Sequence, residues 1–162
     1  MKAMKYKREI EKKTNYRARM ALLKSGLLRL VVRKTNRYII AHIVKSEASQ
    51  DHTLTYTTSK DLVKYAWPLP LKNLASAYLT GYLLGKKFLK KNKKSKLILD
   101  IGLQRSTKGS RIYGVVQGVI DAGVEVLCNK EILPKERVNM EYKNKKIKEI
   151  IQEVKKEIDK NE

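Results

Sequence analysis

The side chains of this sequence best suited to chemistry are cations, and they gather in three runs. The first, between Lys2 and Lys24, holds Lys5, Lys7, Arg8, Lys12, Lys13, Arg17 and Arg19 together with Thr14, Tyr6 and Tyr16. Cations at this density neutralise phosphates and release counterions, and tyrosines among them are placed to stack on unpaired bases. The second run holds Arg29, Arg33, Lys34, Thr35, Asn36 and Arg37. In an extended strand Arg29 and Arg33 share a face, spaced for neighbouring phosphates. The third sets Arg105, Thr107, Lys108, Ser110 and Arg111 around Gly109, just before a helical segment. Hydroxyls and helix N-terminal amides donate to phosphate oxygens, and Gly109 lets a ligand approach the backbone. The loop lacks the Gly-x-x-x-x-Gly-Lys-Ser/Thr spacing of a nucleotide-binding loop, so it reads as a generic phosphate cradle.

Other chemistries find little support. Asp100 is the one catalytic-looking carboxylate, and a metal-dependent nuclease needs several converging on its ions. The nearest acids, Asp61 and Asp121, fall in separate helical segments. Asp100 therefore reads as a structural residue that hydrogen-bonds the loop after it. The single cysteine, Cys128, excludes an intramolecular disulfide, and with His42 and His52 apart it forms no metal set. No enzyme activity, cofactor, metal or small-molecule substrate is expected.

Charge agrees with this reading. The 162 residues hold 37 Lys and Arg against 16 Asp and Glu, a net charge of +21. A small domain tolerates such self-repulsion when a polyanion neutralises it: RNA, DNA, an anionic membrane surface or an acidic protein. Residues 1–37 carry +11 and residues 86–111 carry +9, which leaves the rest close to neutral. Two basic blocks on a balanced body read as two contact surfaces for nucleic acid. No apolar run approaches the length of a membrane span, and none follows Met1 as in a secretory signal, so no membrane partner is expected.

The elements that must position these runs follow from periodicity. Residues 1–13 read as a basic arm, disordered when free and ordered on its partner. Thr14 or Asn15 caps a helix from Tyr16 to Lys24, stopped by Gly26. Alternating residues predict strands over Leu28–Arg33, Tyr38–Val44 and Thr53–Thr58, an antiparallel three-stranded meander. Its first turn, Lys34 to Arg37, offers Asn36 for a left-handed conformation. Ser59 is expected to cap a short helix from Lys60 to Tyr65. Pro68 and Pro70 keep the next segment irregular. Asn73 caps a long helix from Leu74 to about Lys91, whose apolar set is Leu74, Ala77, Tyr78, Tyr82, Leu84 and Phe88. Lys96 to Gly102 predicts a buried central strand, and Ser110 or a neighbour starts a helix from Ile112 to Ala122. A linker with Pro134 leads to an amphipathic helix, Asn144 to Lys160. The fold class is α/β: a mixed sheet built from the N-terminal meander plus a helix–strand–helix unit, with the basic arm and the C-terminal helix attached. The expected division is an arm over 1–13, one RNA-binding domain over 14–139 and a helix over 140–162.

Five stretches also occur in an order that carries a resemblance: Lys13–Arg19, Arg29–Arg37, Ala77–Gly81, Leu99–Leu103 and Ser106–Arg111. Together they resemble the family of the eighteenth protein of the large ribosomal subunit, in its archaeal and eukaryotic branch, over roughly residues 5 to 137. The resemblance implies an α/β sandwich whose arm and loops grip 5S ribosomal RNA in the central protuberance. It also implies 23S-type RNA and neighbouring large-subunit proteins as partners, and a cytoplasmic, ribosomal location. Carried over by position, it implies RNA contacts at Lys12, Lys13, Tyr16, Arg17, Arg19, Arg33, Lys34, Asn36, Arg37, Thr107, Lys108 and Arg111. The sequence departs from the family pattern at Leu127-Cys128-Asn129, and the helix after Glu141 lies beyond the match. The alternative allowed by charge alone is a free-standing, non-specific RNA-binding protein or chaperone.

Overall fold

The computed structural model describes residues 6–47, 50–91, 95–134 and 145–161. β-Branched and leucine-rich runs form β1 (Leu28–Lys34), β2 (Ile39–Glu47) and β3 (Gln50–Thr58), joined as the expected antiparallel meander. Strands β2 and β3 extend beyond their apolar runs, with Glu47 opposite Gln50 and a register shift between Ile43 and Val44. Strand β4 (Leu97–Asp100) pairs parallel with β1, so the central position expected of this apolar run holds. A fifth strand, β5 (Val126–Leu127), pairs parallel with β4 where the sequence predicted only a linker. Two residues are too few to show an alternation, which is why the pattern missed it. The sheet order is β3-β2-β1-β4-β5.

Two short segments differ from the expected turn and cap. Asn36 is not among the residues with positive φ; the Thr35 hydroxyl closes its turn by bonding both the amide and the carbonyl of Tyr38 at 2.8 Å. The segment Ser59–Tyr65 is a 3₁₀ helix capped by Thr58, whose amide donates to Asp61 at 2.9 Å. Ser59 instead accepts from the Ile39 amide and ties this turn to β2.

The described part of the arm holds one helical turn, α1 (Lys7–Ile10), and passes into α2 (Tyr16–Lys24), capped by the Asn15 side chain on the Ala18 amide. Asn73 caps α3 (Leu74–Lys91) in the same manner through Ser76. Helix α4 (Arg111–Asp121) packs on α3 so closely that a Cβ on Gly118 would overlap the Tyr78 carbonyl oxygen, and one on Gly81 that of Val115. These two helices cover one face of the sheet, and their core holds Leu30, Val32, Ile43, Phe88, Val116 and Val119. The C-terminal helix, α5 (Lys145–Asn161), lays Ile151, Val154 and Ile158 against α3 and the Trp67 segment. Its docking is fixed by polar contacts as well: Tyr82 donates to Asp159 at 2.9 Å and Lys86 pairs with Asp159 at 2.7 Å.

Candidate nucleic-acid interface

Helices α3 and α4 leave the opposite face of the sheet to charged residues. Its strands alternate, so Arg29, Val31 and Arg33 of β1 face away from the apolar core, alongside Asp100 of β4. The arm and α2 lie over this face. Arg19 of α2 pairs with Asp51 of β3 at 2.7 Å; Asp51 pairs with Arg29 at 2.6 Å. Arg29 pairs with Asp100 at 3.1 Å, and Asp100 with Arg33 at 2.8 Å. The result is a chain of alternating charges, Arg19–Asp51–Arg29–Asp100–Arg33, that binds α2 to three strands. Asp100 also accepts from the Gly102 amide at 2.9 Å, and its backbone carbonyl accepts from Arg33 at 2.7 Å, so it organises the loop that follows, as its place at a strand end predicts.

Burial opposes ionisation of both acids, yet the hydrogen bonds win. Partial burial would raise the Asp51 carboxyl, but donors from Ser46, Arg29 and Arg19 hold it far below the usual carboxylate range. Asp100 is likewise held low against its own burial, by the Arg33 guanidinium and the Gly102 amide. His42, beside this network, is held below its ordinary value by burial and by the Arg33 charge.

This arrangement corrects one expectation. Arg29 is only 2% exposed and both its terminal nitrogens are committed to carboxylates, so it is a core residue and presents nothing to phosphate. Arg33, its neighbour on the same face, keeps 35% exposure while holding Asp100. The alternation that put both on one face was right; the acids awaiting them, Asp51 and Asp100, are remote in sequence and invisible to spacing.

The other expected residues sort by exposure. Lys7, Arg8, Lys12 and Lys13 are exposed along the arm, with Arg8 donating to Thr14 at 3.0 Å so that the arm folds back on itself. Lys5 lies outside the described residues. Tyr16 is half-buried against Tyr6, ring centroids 4.8 Å apart, and Tyr6 is the exposed partner at 67%. Arg17, Lys34, Thr35, Asn36, Arg37, Arg105, Thr107 and Lys108 are exposed; Ser110 and Arg111 are half-buried. Among the described residues no carboxylate pairs with Lys12, Arg17, Lys34, Arg37, Arg105 or Lys108.

Two open cavities gather these groups. One, of about 560 Å³, lies between arm, α2 and the loop after β4, and is lined by Arg8, Lys13, Thr14, Arg19 and Arg33. The other, of about 520 Å³, lies where α3 and α4 begin, and is lined by Lys34, Lys72, Thr107, Ser110 and Arg111. They adjoin, because Arg33 and Lys34 are consecutive and Gln104 of the first donates to the Lys34 carbonyl at 3.2 Å. Helix N-termini and cations here favour anions. Lys72 was missed by the sequence reading. It stands alone before the Asn73 cap, and only the fold brings it to Arg111, which donates to its carbonyl at 2.9 Å.

Comparison with known proteins decides what this face belongs to. The family described as ribosomal large subunit proteins 60S L5 and 50S L18 matches residues 2–98 and 91–129. The chain belongs to this family. Among its relatives, the large ribosomal subunit protein uL18 of Korarchaeum cryptofilum is 50% identical over 133 residues, 82% of this chain and 68% of the relative. Those of Haloferax volcanii and Methanosphaera stadtmanae are each 44% identical, over 80% and 82% of this chain and 69% and 68% of the relatives. The family match includes the arm, α2, the meander and the loop before α4, whereas α5 lies beyond it. A member of this ribosomal family is a structural component, not an enzyme, and associates with ribosomal RNA and ribosomal proteins.

Proposed function

We propose that the chain is a non-catalytic constituent of the large ribosomal subunit whose cationic face binds 5S ribosomal RNA and helps attach it in the central protuberance. 23S-type RNA and neighbouring large-subunit proteins are the further partners. The observation that carries this reading is the separation of charges on the face. The two acids of its strands, Asp51 and Asp100, are already neutralised by arginines, while Lys34 lines one of two adjoining cavities and Lys12, Arg17, Arg37 and Lys108 stand exposed elsewhere on the arm, α2 and the loops. A polyanion therefore meets exposed cations where the strand carboxylates are already paired. The arm and α2 supply one wall and the loop before α4 the other, which suits a folded RNA better than a single strand.

The test is a titration of the full chain against 5S ribosomal RNA and a length-matched control RNA over a salt series. The expected preference for 5S RNA is about a hundredfold or more. Replacing Arg17, Arg37 and Lys108 together with Ala removes three phosphate contacts and lowers the salt slope by about 3, with the fold intact. These positions serve better than Arg33, whose loss would also free Asp100. A ratio near one between the two RNAs overturns specific recognition and leaves a non-specific RNA-binding protein.

A further inference from the structure

The C-terminal helix carries a surface of the opposite sign. Helix α3 has two buried sides. Ala77, Leu84 and Phe88 join the core over the sheet, whereas Leu79, Tyr82 and Leu83 join a separate cluster with Ile151, Val154 and Ile158 of α5. Helix α5 therefore stacks outside the helical layer, while the arm and α2 lie over the other face of the sheet. Beside its docked residues α5 leaves a small groove, of about 120 Å³, against the segment that follows the 3₁₀ turn. Apolar Tyr65, Pro68, Ile150 and Val154 line it together with Glu153 and Glu157, and no cation does. Both carboxylates are exposed. Among the described residues neither belongs to an ion pair, although Lys156 and Lys160 follow them one turn along. With Glu149 they recur at every fourth residue, a spacing at which like charges repel and weaken a helix. The helix gains nothing from these acids by itself.

We propose that this groove docks an arginine-bearing segment of a neighbouring ribosomal protein, its guanidinium held by Glu153 and Glu157 and its apolar stem laid against Pro68 and Ile150. Residues four apart on a helix set their Cβ atoms about 5–6 Å from each other, within reach of one planar guanidinium and its five donors. Two carboxylates alone would be a solvated face. The apolar wall beside them is what a long cationic side chain needs, since its methylene stem packs while its head stays in water. Charge decides the class of partner. RNA would bring phosphates against unpaired carboxylates, a like-charge contact. A protein packed into the same particle carries lysine and arginine to neutralise that RNA, so it has cationic segments to offer. The proposal rests on membership of a ribosomal family for the partner, and not on the 5S assignment.

The test has two arms, and the proposal stands only if both hold. In the first, the full chain is titrated with an amidated oligoarginine peptide and followed by the emission of Trp67, the one tryptophan of the sequence, which is buried next to the groove residue Pro68. A chain of net charge +21 repels a polycation over most of its surface, so binding requires a local acidic site. A saturable change in emission is expected. Glu153→Gln with Glu157→Gln keeps the shape of both side chains and weakens binding about tenfold, the worth of two partly exposed ion pairs. Glu125→Gln with Glu131→Gln, away from the groove, leaves binding as it was. An oligolysine peptide of equal length binds more weakly, because an ammonium lacks the guanidinium fork. In the second arm, Lys160 is replaced by a benzophenone amino acid in assembled large subunits. Irradiation is expected to join it to an arginine-bearing segment of a ribosomal protein, and Glu153→Gln with Glu157→Gln to remove that product. The proposal is overturned if Trp67 emission shows no saturable change, or if the two glutamines bind the peptide as the parent does. It is overturned equally if the cross-link forms to RNA, fails to form, or survives the glutamine changes. The 5S preference is measured separately on the unaltered chain, so loss of either reading leaves the other standing.

Discussion

The two faces of one sheet are held by opposite means. On one, α3 and α4 bury leucine, valine, isoleucine and phenylalanine against β1, β2 and β4, with two glycines letting the helix backbones touch. On the other, α2 buries no residue fully and is joined to the strands through Arg19, Asp51, Arg29, Asp100 and Arg33. The first arrangement gains from removing apolar surface from water. The second gains little net stability, because desolvating charges offsets their attraction. What it supplies is position. It fixes a helix to a sheet while keeping that side polar, and it neutralises the acids so that the surrounding cations face outward uncompensated. A ribosomal protein needs both: a body that folds by itself and a face that remains attractive to RNA.

The sharpest way to break this comparison is to attack each face in turn. On the apolar side, Gly118→Ala drives a methyl group into the Tyr78 carbonyl, which belongs to helix backbone and cannot turn aside. The α3–α4 contact must separate, and a loss of about 4 kcal/mol is expected in urea unfolding, at the upper end for a single substitution. A loss under about 1 kcal/mol would mean the two helices are not locked as described.

On the charged side, Arg29→Ala leaves Asp51 and Asp100 short of a partner, one of them nearly buried. The expected cost is about 3 kcal/mol, chiefly because the buried Asp100 carboxylate loses one of its two guanidinium partners. The replacement of Arg17, Arg37 and Lys108 should do the reverse, with stability kept and RNA affinity lost. Two residues from one basic run, Arg29 and Arg37, would then separate cleanly into fold and function. Were Arg29→Ala to weaken RNA binding without lowering the unfolding midpoint, its assignment to the core would fail.

That separation also marks what the sequence could convey. Periodicity found the meander, the long helix capped by Asn73 and the buried strand from Lys96, because each depends on residues close in the chain. It located the cationic runs for the same reason. It could not tell Arg29 from Arg33, since their difference lies in where Asp51 and Asp100 arrive after the chain has crossed the sheet. It missed Lys72 and β5 likewise: one lacks a local pattern, and the other is too short to have one. Asn36 and Ser59 were misjudged because a neighbouring threonine took the role in each turn.

The smallest effect sharpens the comparison through pH. Asp51 and Asp100 are held below their ordinary value of 3.8, and His42 below its ordinary 6.5. All three shifts have the same sign: the unfolded chain binds protons that the folded chain refuses. Stability is therefore full above about pH 6.5 and falls as the pH drops, first through His42 and then, near and below 3.8, through the two acids. Asp51 is about one-third exposed, so its share is reduced by solvent. A lower melting temperature is expected at pH 5 than at pH 7, a range in which His42 dominates because both acids are ionised in either state. A steeper fall follows below that. His42→Asn should flatten the first part and leave the second. If the first part persists, the proton uptake in that range belongs to a group other than His42.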